Sequence, residues 1–178
     1  MRTNPNSFLP ENYEAPKGNS DYMKLEKGEN KFRILSRPII GWEDWQDKKP
    51  LRYVMAEKPE KSINPNQPIK HFWAMIVWNR SLNKIQILEI TQRTIMGAIE
   101  QLAKDEDWGT PFQYDIKVTK EGDGMETEYT INPSPHKSIE QEVLDAFKSK
   151  PIFLPALYQG LDPMANHGEI TGLNDLVL

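Results

Sequence analysis

The segment His71 to Trp78, HFWAMIVW, has no Lys, Arg, Asp or Glu and presents apolar side chains on both faces of a two-residue period. Its aromatic and β-branched content favours a strand, and a strand apolar on both sides needs two covers. One cover is a hydrophobic core; a ligand is a candidate for the other. Phe72 and Trp78 share one face and Trp73 takes the other, so either Trp73 or the pair Phe72 and Trp78 is expected to meet that ligand.

The neighbouring sequence supplies partners for such a strand. Asn30 to Arg37 alternates after a Lys27 to Asn30 turn signal, Pro38 bends or ends it, and Ile39 to Trp45 is extended. Leu51 to Glu57 forms a second main strand, and Lys58 to Pro68, which holds Pro59, Pro65 and Pro68, forms a loop. Ser81 to Asn83 turns the His71 strand into Lys84 to Ile90. The period then changes, because Ile95, Ile99 and Leu102 sit four and three apart; this predicts a helix to about Asp105 with Thr91 as its N-cap. Phe112 to Lys120 and Glu126 to Asn132 form a hairpin across Glu121 to Gly124. A second helix, Ser138 to Lys148, opens on a capping box of Ser138 and Gln141.

Three strand regions, a helix and two strands are the order of a five-stranded oligonucleotide-binding (OB) barrel with its helix between strands 3 and 4. The expected fold is therefore mainly β, with flexible N- and C-terminal segments; a β-grasp or a non-barrel α+β sheet also fits. With 178 residues the chain suits one domain, read as an N-terminal arm at 1–21, a binding domain at 22–150 and a tail at 151–178. The arm is rich in Asn, Pro, Ser and Gly and lacks the apolar core of a secretory signal. The absence of cysteine excludes disulfides, thiolate metal sites and a cysteine nucleophile, and agrees with a cytoplasmic setting. No apolar run is long enough to suggest a membrane role.

Charge and aromatic content coincide between Lys31 and Arg80. This stretch holds ten Lys or Arg against five acids, a net charge of +5 in a chain whose total is -4. It also holds Trp42, Trp45, Trp73 and Trp78 with Phe32, Tyr53 and Phe72. Flat rings beside cations suit unpaired bases and phosphates, with each base stacked on a ring worth roughly 1–3 kcal/mol. The candidate contacts are Arg33, Arg37, Trp42, Trp45, Arg52, Tyr53, Lys70, Phe72, Trp73, Trp78 and Arg80. Lys48, Lys49, Lys58 and Lys61 fall in loops, where they contribute long-range steering; Tyr114 and Lys117 either extend the surface or serve the hairpin.

Signatures of catalysis are poor, so no enzyme activity and no cofactor are expected. His71, His136 and His167 lack metal-ligand spacing, and there is no phosphate-cradling glycine loop. Acids at Glu43-Asp44, Asp105 to Asp107 and Glu121 to Asp123 leave a metal-dependent nuclease as a distant third reading. After Lys150 the chain has no Lys or Arg, three acids (Asp162, Glu169, Asp175) and an apolar end. That tail either docks on partner proteins or competes with nucleic acid, unless its first half packs on the domain through Ile152, Phe153, Leu154, Leu157 and Tyr158.

The stretches GENKFRILSRPIIGWEDW (Gly28 to Trp45) and EDWGTPFQYDIKVTKEGDGMETEYTINP (Glu106 to Pro133) resemble the single-stranded DNA-binding proteins of tailed bacteriophages and prophages. Between them an aromatic strand, a VWN turn, an ILEIT strand end and a TIMGAIEQLAKDEDWG helix follow in similar order, so the likeness runs from about Tyr22 to Pro135. It implies an OB-type fold, sequence-tolerant binding of single-stranded DNA in phage replication and recombination within the bacterial host cytoplasm, and no catalysis. By position it sets Arg33, Arg37, Trp42, Trp45, Trp73 and Trp78 near the groove. Zinc-ligand cysteines of some phage members are absent here, and the tail is less acidic than many, which weakens the case for recruitment of replication or recombination proteins. Oligomeric state is open, a dimer included. The alternative is a phage-related interaction module or virion accessory protein that uses the same aromatic patch on a protein.

Overall fold

The computed structural model describes residues 20–165. It is mainly β, with one antiparallel sheet of seven strands and two α-helices. The strands are β1 (Gly28–Ile34), β2 (Ile39–Gln46), β3 (Lys49–Val54), β4 (Lys70–Asn79), β5 (Lys84–Ile90), β6 (Asp115–Glu121) and β7 (Glu128–Pro133). Helix α1 spans Arg93–Lys104 and α2 spans Gln141–Ser149. The expected arm at 1–21 lies almost wholly outside the described residues, as does the tail beyond Ala165 with His167, Glu169 and Asp175.

The five expected strands become seven because two of them are double. Pro38 splits the first: Ile34 faces Val77 and Ile39 faces Ala74, so Leu35 to Pro38 bulge out opposite only Met75 and Ile76. The resulting β1–β2 arm keeps one edge on β4, while its other edge pairs first with β6 and then with β3. The third expected strand is the β4–β5 hairpin. The order is β3-β2-β4-β1-β6-β7, with β5 on the remaining edge of β4, and the sheet does not close into a barrel. Outside β5, residues 21–23 add a short parallel bridge through Met23 N–H to the Ile87 carbonyl and Ile87 N–H to the Asp21 carbonyl, both 2.8 Å.

Both faces of β4 are covered by protein. Met75 and Val77 join Leu88 and Ile90 beneath Ile95, Met96 and Ile99 of α1. Phe72, Ala74, Ile76 and Trp78 join Ile85 and Ile87 beneath Val143 and Phe147 of α2 and the residues Ile152, Leu154 and Leu157. The double apolar pattern of HFWAMIVW is thereby explained without a ligand over the strand's centre. Burying so many large side chains is the main favourable term of the fold, on the order of 1.5–3 kcal/mol for each Leu, Ile, Val, Phe or Met. Of the two readings of 151–165, packing on the sheet is the one seen.

Local signals set the turns better than the helix starts. Asp47 and Lys48 both have positive φ (50° and 64°) and close a two-residue turn between Gln46 and Lys49, where only a left-handed pair matches the strand twist. Thr91 does not cap α1: Gln92 occupies that position with no side-chain cap bond. The Ser138 and Gln141 box is likewise absent. Glu140 is the N-cap residue of α2, and its carboxylate goes to Arg80 (2.7 Å) and Lys137 (3.0 Å).

Candidate nucleic-acid interface

At the β2–β3–β4 end the register lines up three rings. Trp42 stands directly opposite Tyr53 on one side and His71 on the other, and paired residues share a face, so Tyr53, Trp42 and His71 form one row across three strands. All three are half-buried. Trp73, two residues along β4 on the same face and opposite Ile40, is half-buried against the α1 core.

Trp42 is fixed on several sides. Its indole N–H donates to the Met55 carbonyl (3.1 Å), the first residue of a 3-10 turn at Met55–Glu57. The His71 ring lies 5.2 Å away at 54°, and the Lys58 ammonium sits 4.3 Å over the indole. His71 Nδ1 is 2.7 Å from the Gly41 carbonyl, and since a carbonyl only accepts, Nδ1 carries a proton. Asp44 anchors the long loop that follows, accepting the Trp45 N–H on Oδ1 (2.8 Å) and the Ile63 N–H on Oδ2 (2.9 Å). Trp45 itself stands 36% exposed beside the β2–β3 turn.

Three of the four expected arginines, Arg33, Arg52 and Arg80, are engaged elsewhere. Arg33 is 1% exposed; its Nε donates to Asp115 (2.7 Å) and its Nη1 to the carbonyls of Phe112 and Lys137. Arg80 joins the same Asp115 (3.1 Å) and Glu140. Arg52 lies on the face away from Trp42, bonded to Glu89 (2.5 Å), 3.4 Å from Glu43 and over the Phe72 ring. Phe72 (0% exposed) and Trp78 (3%) are sealed in the α2 core. The expectation that Arg33, Phe72 and Trp78 face a ligand is therefore corrected by burial, and Arg52 and Arg80 hold the fold through ion pairs. Tyr114 is also core, its phenol donating to the Gly109 carbonyl, and burial pushes its pKa up to about 12.

The cations left to face solvent include the four read as steering, Lys48, Lys49, Lys58 and Lys61, and two of the expected contacts, Arg37 and Lys70. Among the described residues the exposed cations with no carboxylate within 4 Å are Lys24, Arg37, Lys48, Lys49, Lys58, Lys61, Lys70, Arg93 and Lys148. Lys48, Lys49, Lys58 and Lys61 lie on the β2–β3 turn or the β3–β4 loop, at the same end of the sheet as the ring row, while Lys70 stands opposite Glu43 and so takes the face away from Trp42. His71 was not among the expected residues, although its two-residue spacing from Trp73 already put both on one face.

Beneath this end sits a carboxyl pair. Burial pushes the Glu43 pKa up to about 8, the hydrogen bond and charge of Glu89 push the same way, and Arg52 and Lys70 only partly oppose them. The direction favours the protonated form of Glu43 beside Glu89. No group of three or more potential metal ligands occurs among the described residues.

Over 67 residues the chain is 36% identical to a protein of Escherichia phage T5 named "Probable ssDNA-binding protein", a match covering 38% of this chain and 25% of that protein. The chain thus spans about a quarter of the length of the curated relative it matches. The likeness agrees with the phage single-stranded DNA-binding resemblance carried by the Gly28 to Trp45 and Glu106 to Pro133 stretches. No protein-family model matches the chain, and no solved structure matches it.

Proposed function

We propose that the protein binds single-stranded DNA at the β2–β3–β4 end without strong sequence preference, and coats it during phage replication or recombination in the host cytoplasm. The observation that carries this reading is the row Tyr53, Trp42 and His71, half-exposed and bordered by lysines that no acid neutralises. Stacking on a ring supplies roughly 1–3 kcal/mol per base irrespective of base identity, and lysines supply phosphate contacts that release counterions. A duplex keeps its bases stacked inside, so the rings gain nothing from it. The similarity to the T5 protein supports the same ligand class.

In this reading the sheet is an opened relative of the OB barrel. The bent β1–β2 arm stands for the first strand, and the strand crosses β2, β3 and β4, near the face that an OB barrel uses. Trp73 continues the row on its own face, Arg37 lies exposed just before β2, Trp45 and Lys70 take the other face of the same strands, and no catalytic step is assigned.

The test is the intrinsic tryptophan emission of the whole chain titrated with oligo(dT). Quenching that saturates and is reversed by salt, with little response to duplex of equal length, supports the reading. Unchanged emission together with no mobility shift at low salt rejects it.

A further inference from the structure

We propose that Lys58 is an exchangeable cover for Trp42: its ammonium occupies the indole face in the free protein and passes to a phosphate when a base takes its place. The inference rests on the single-stranded DNA reading and adds how the site is kept selective.

The geometry divides the pair into a fixed and a movable member. Trp42 cannot swing away, because its N–H is tied to the Met55 carbonyl at 3.1 Å and its strand is paired on both edges. Lys58 follows the Met55–Glu57 turn directly, so the backbone that holds the indole also aims the lysine over it. Lys58 is exposed and no carboxylate lies within 4 Å of its ammonium, although Glu57 and Glu60 are close in sequence. Its one described partner is the ring, at 4.3 Å. The lysine stem is flexible, and an ammonium over an exposed ring is held more weakly than a stacked base.

Selectivity follows from the exchange. A single strand brings both replacements at once, a base for the ring and a phosphate for the ammonium. Duplex brings phosphate without a free base, so moving Lys58 would leave the indole bare in water. A lysine that merely decorated the loop would have no such coupling.

The experiment uses the whole chain with Lys58→Ala, Lys58→Gln, Trp42→Phe and the double variant Lys58→Ala/Trp42→Phe. In the free protein, Lys58→Ala and Lys58→Gln should raise acrylamide quenching of tryptophan emission, and Lys58→Ala should do nothing in the Trp42→Phe background. In oligo(dT) titrations over a salt series, both single variants at Lys58 should flatten the slope of log K against log salt by about 0.7, the share of one phosphate on a single strand. Their preference for oligo(dT) over duplex should also narrow. An unchanged salt slope, or unchanged acrylamide quenching, overturns the assignment to Lys58 while leaving DNA binding by the wild type intact. Failure of the wild type itself to bind oligo(dT) overturns the parent reading, and the exchange falls with it.

Discussion

Gly41 lies against the backbone of Tyr53 so closely that a Cβ at position 41 would overlap the Tyr53 carbonyl oxygen, with the Tyr53 carbonyl carbon at 3.1 Å and Phe72 Cε1 at 3.2 Å. Its own carbonyl meets His71 Nδ1. One residue without a side chain thus lets β3 approach β2 beside the row of rings. Gly41→Ala is expected to lower stability by about 1–3 kcal/mol, since overpacking forces backbone shifts. Chemical denaturation reads the loss, and a folded Gly41→Ala variant should bind oligo(dT) more weakly because the row is displaced.

The tryptophans should separate by role. Trp78 is core, so Trp78→Ala is expected to cost about 3–5 kcal/mol with no specific effect on binding once folded. Trp42→Ala should leave most of the fold and weaken oligo(dT) binding by about 1–3 kcal/mol, the value of one stacked base. Paired denaturation and binding curves check both.

Asp115 is the shared acceptor for Arg33 and Arg80 and lies 3.9 Å from the Lys31 ammonium. Removing its charge leaves the buried Arg33 guanidinium without a counterion, a change that typically costs about 3–5 kcal/mol. Asp115→Asn is expected to lower the unfolding midpoint strongly. Arg37→Ala, at an exposed position without an acid partner, should leave it nearly unchanged.

Two carboxyls predict opposite pH limbs of stability. Glu43 is raised from 4.5 to about 8, so between those values the folded protein keeps a proton that the unfolded chain has released, and stability falls as pH rises toward 8. Glu140 is lowered from 4.5 to about 2, chiefly by its hydrogen bond with Arg80, so its contribution is present above 4.5 and is lost as pH falls toward 2. Melting temperature followed against pH should show both limbs. Glu43→Gln should flatten the alkaline one and Glu140→Gln the acid one.

Legibility in the sequence followed the range of the interaction. Period-two and period-four patterns act over a few residues, and they place β5 at Lys84–Ile90 and α1 from Ile95 through Leu102. The Pro38 bend was visible, but whether it ended a strand depended on β4, some forty residues away, whose register makes the bulge. The cap at Ser138 lost to a longer-range partner, since Glu140 sits at the start of α2 held by Arg80. The site suffered most from this. Arg33 finds Asp115 across β1 and β6, and Arg52 finds Glu43 across β2 and β3, pairings that only register reveals. Aromatic density pointed to the end of the sheet where Tyr53, Trp42 and His71 line up, while the pairing of acids decided which cations were left without a partner.

The central claim, that a single strand crosses the row Tyr53, Trp42 and His71, is tested most directly by ultraviolet cross-linking of bromodeoxyuridine-substituted oligo(dT) to the whole chain, followed by peptide mapping. The account predicts adducts on Trp42, Tyr53, His71 or Trp45, suppressed by salt and by competing unlabelled single strand. Adducts confined to the β6–β7 hairpin or to α2, with none between Trp42 and Trp73, would contradict it.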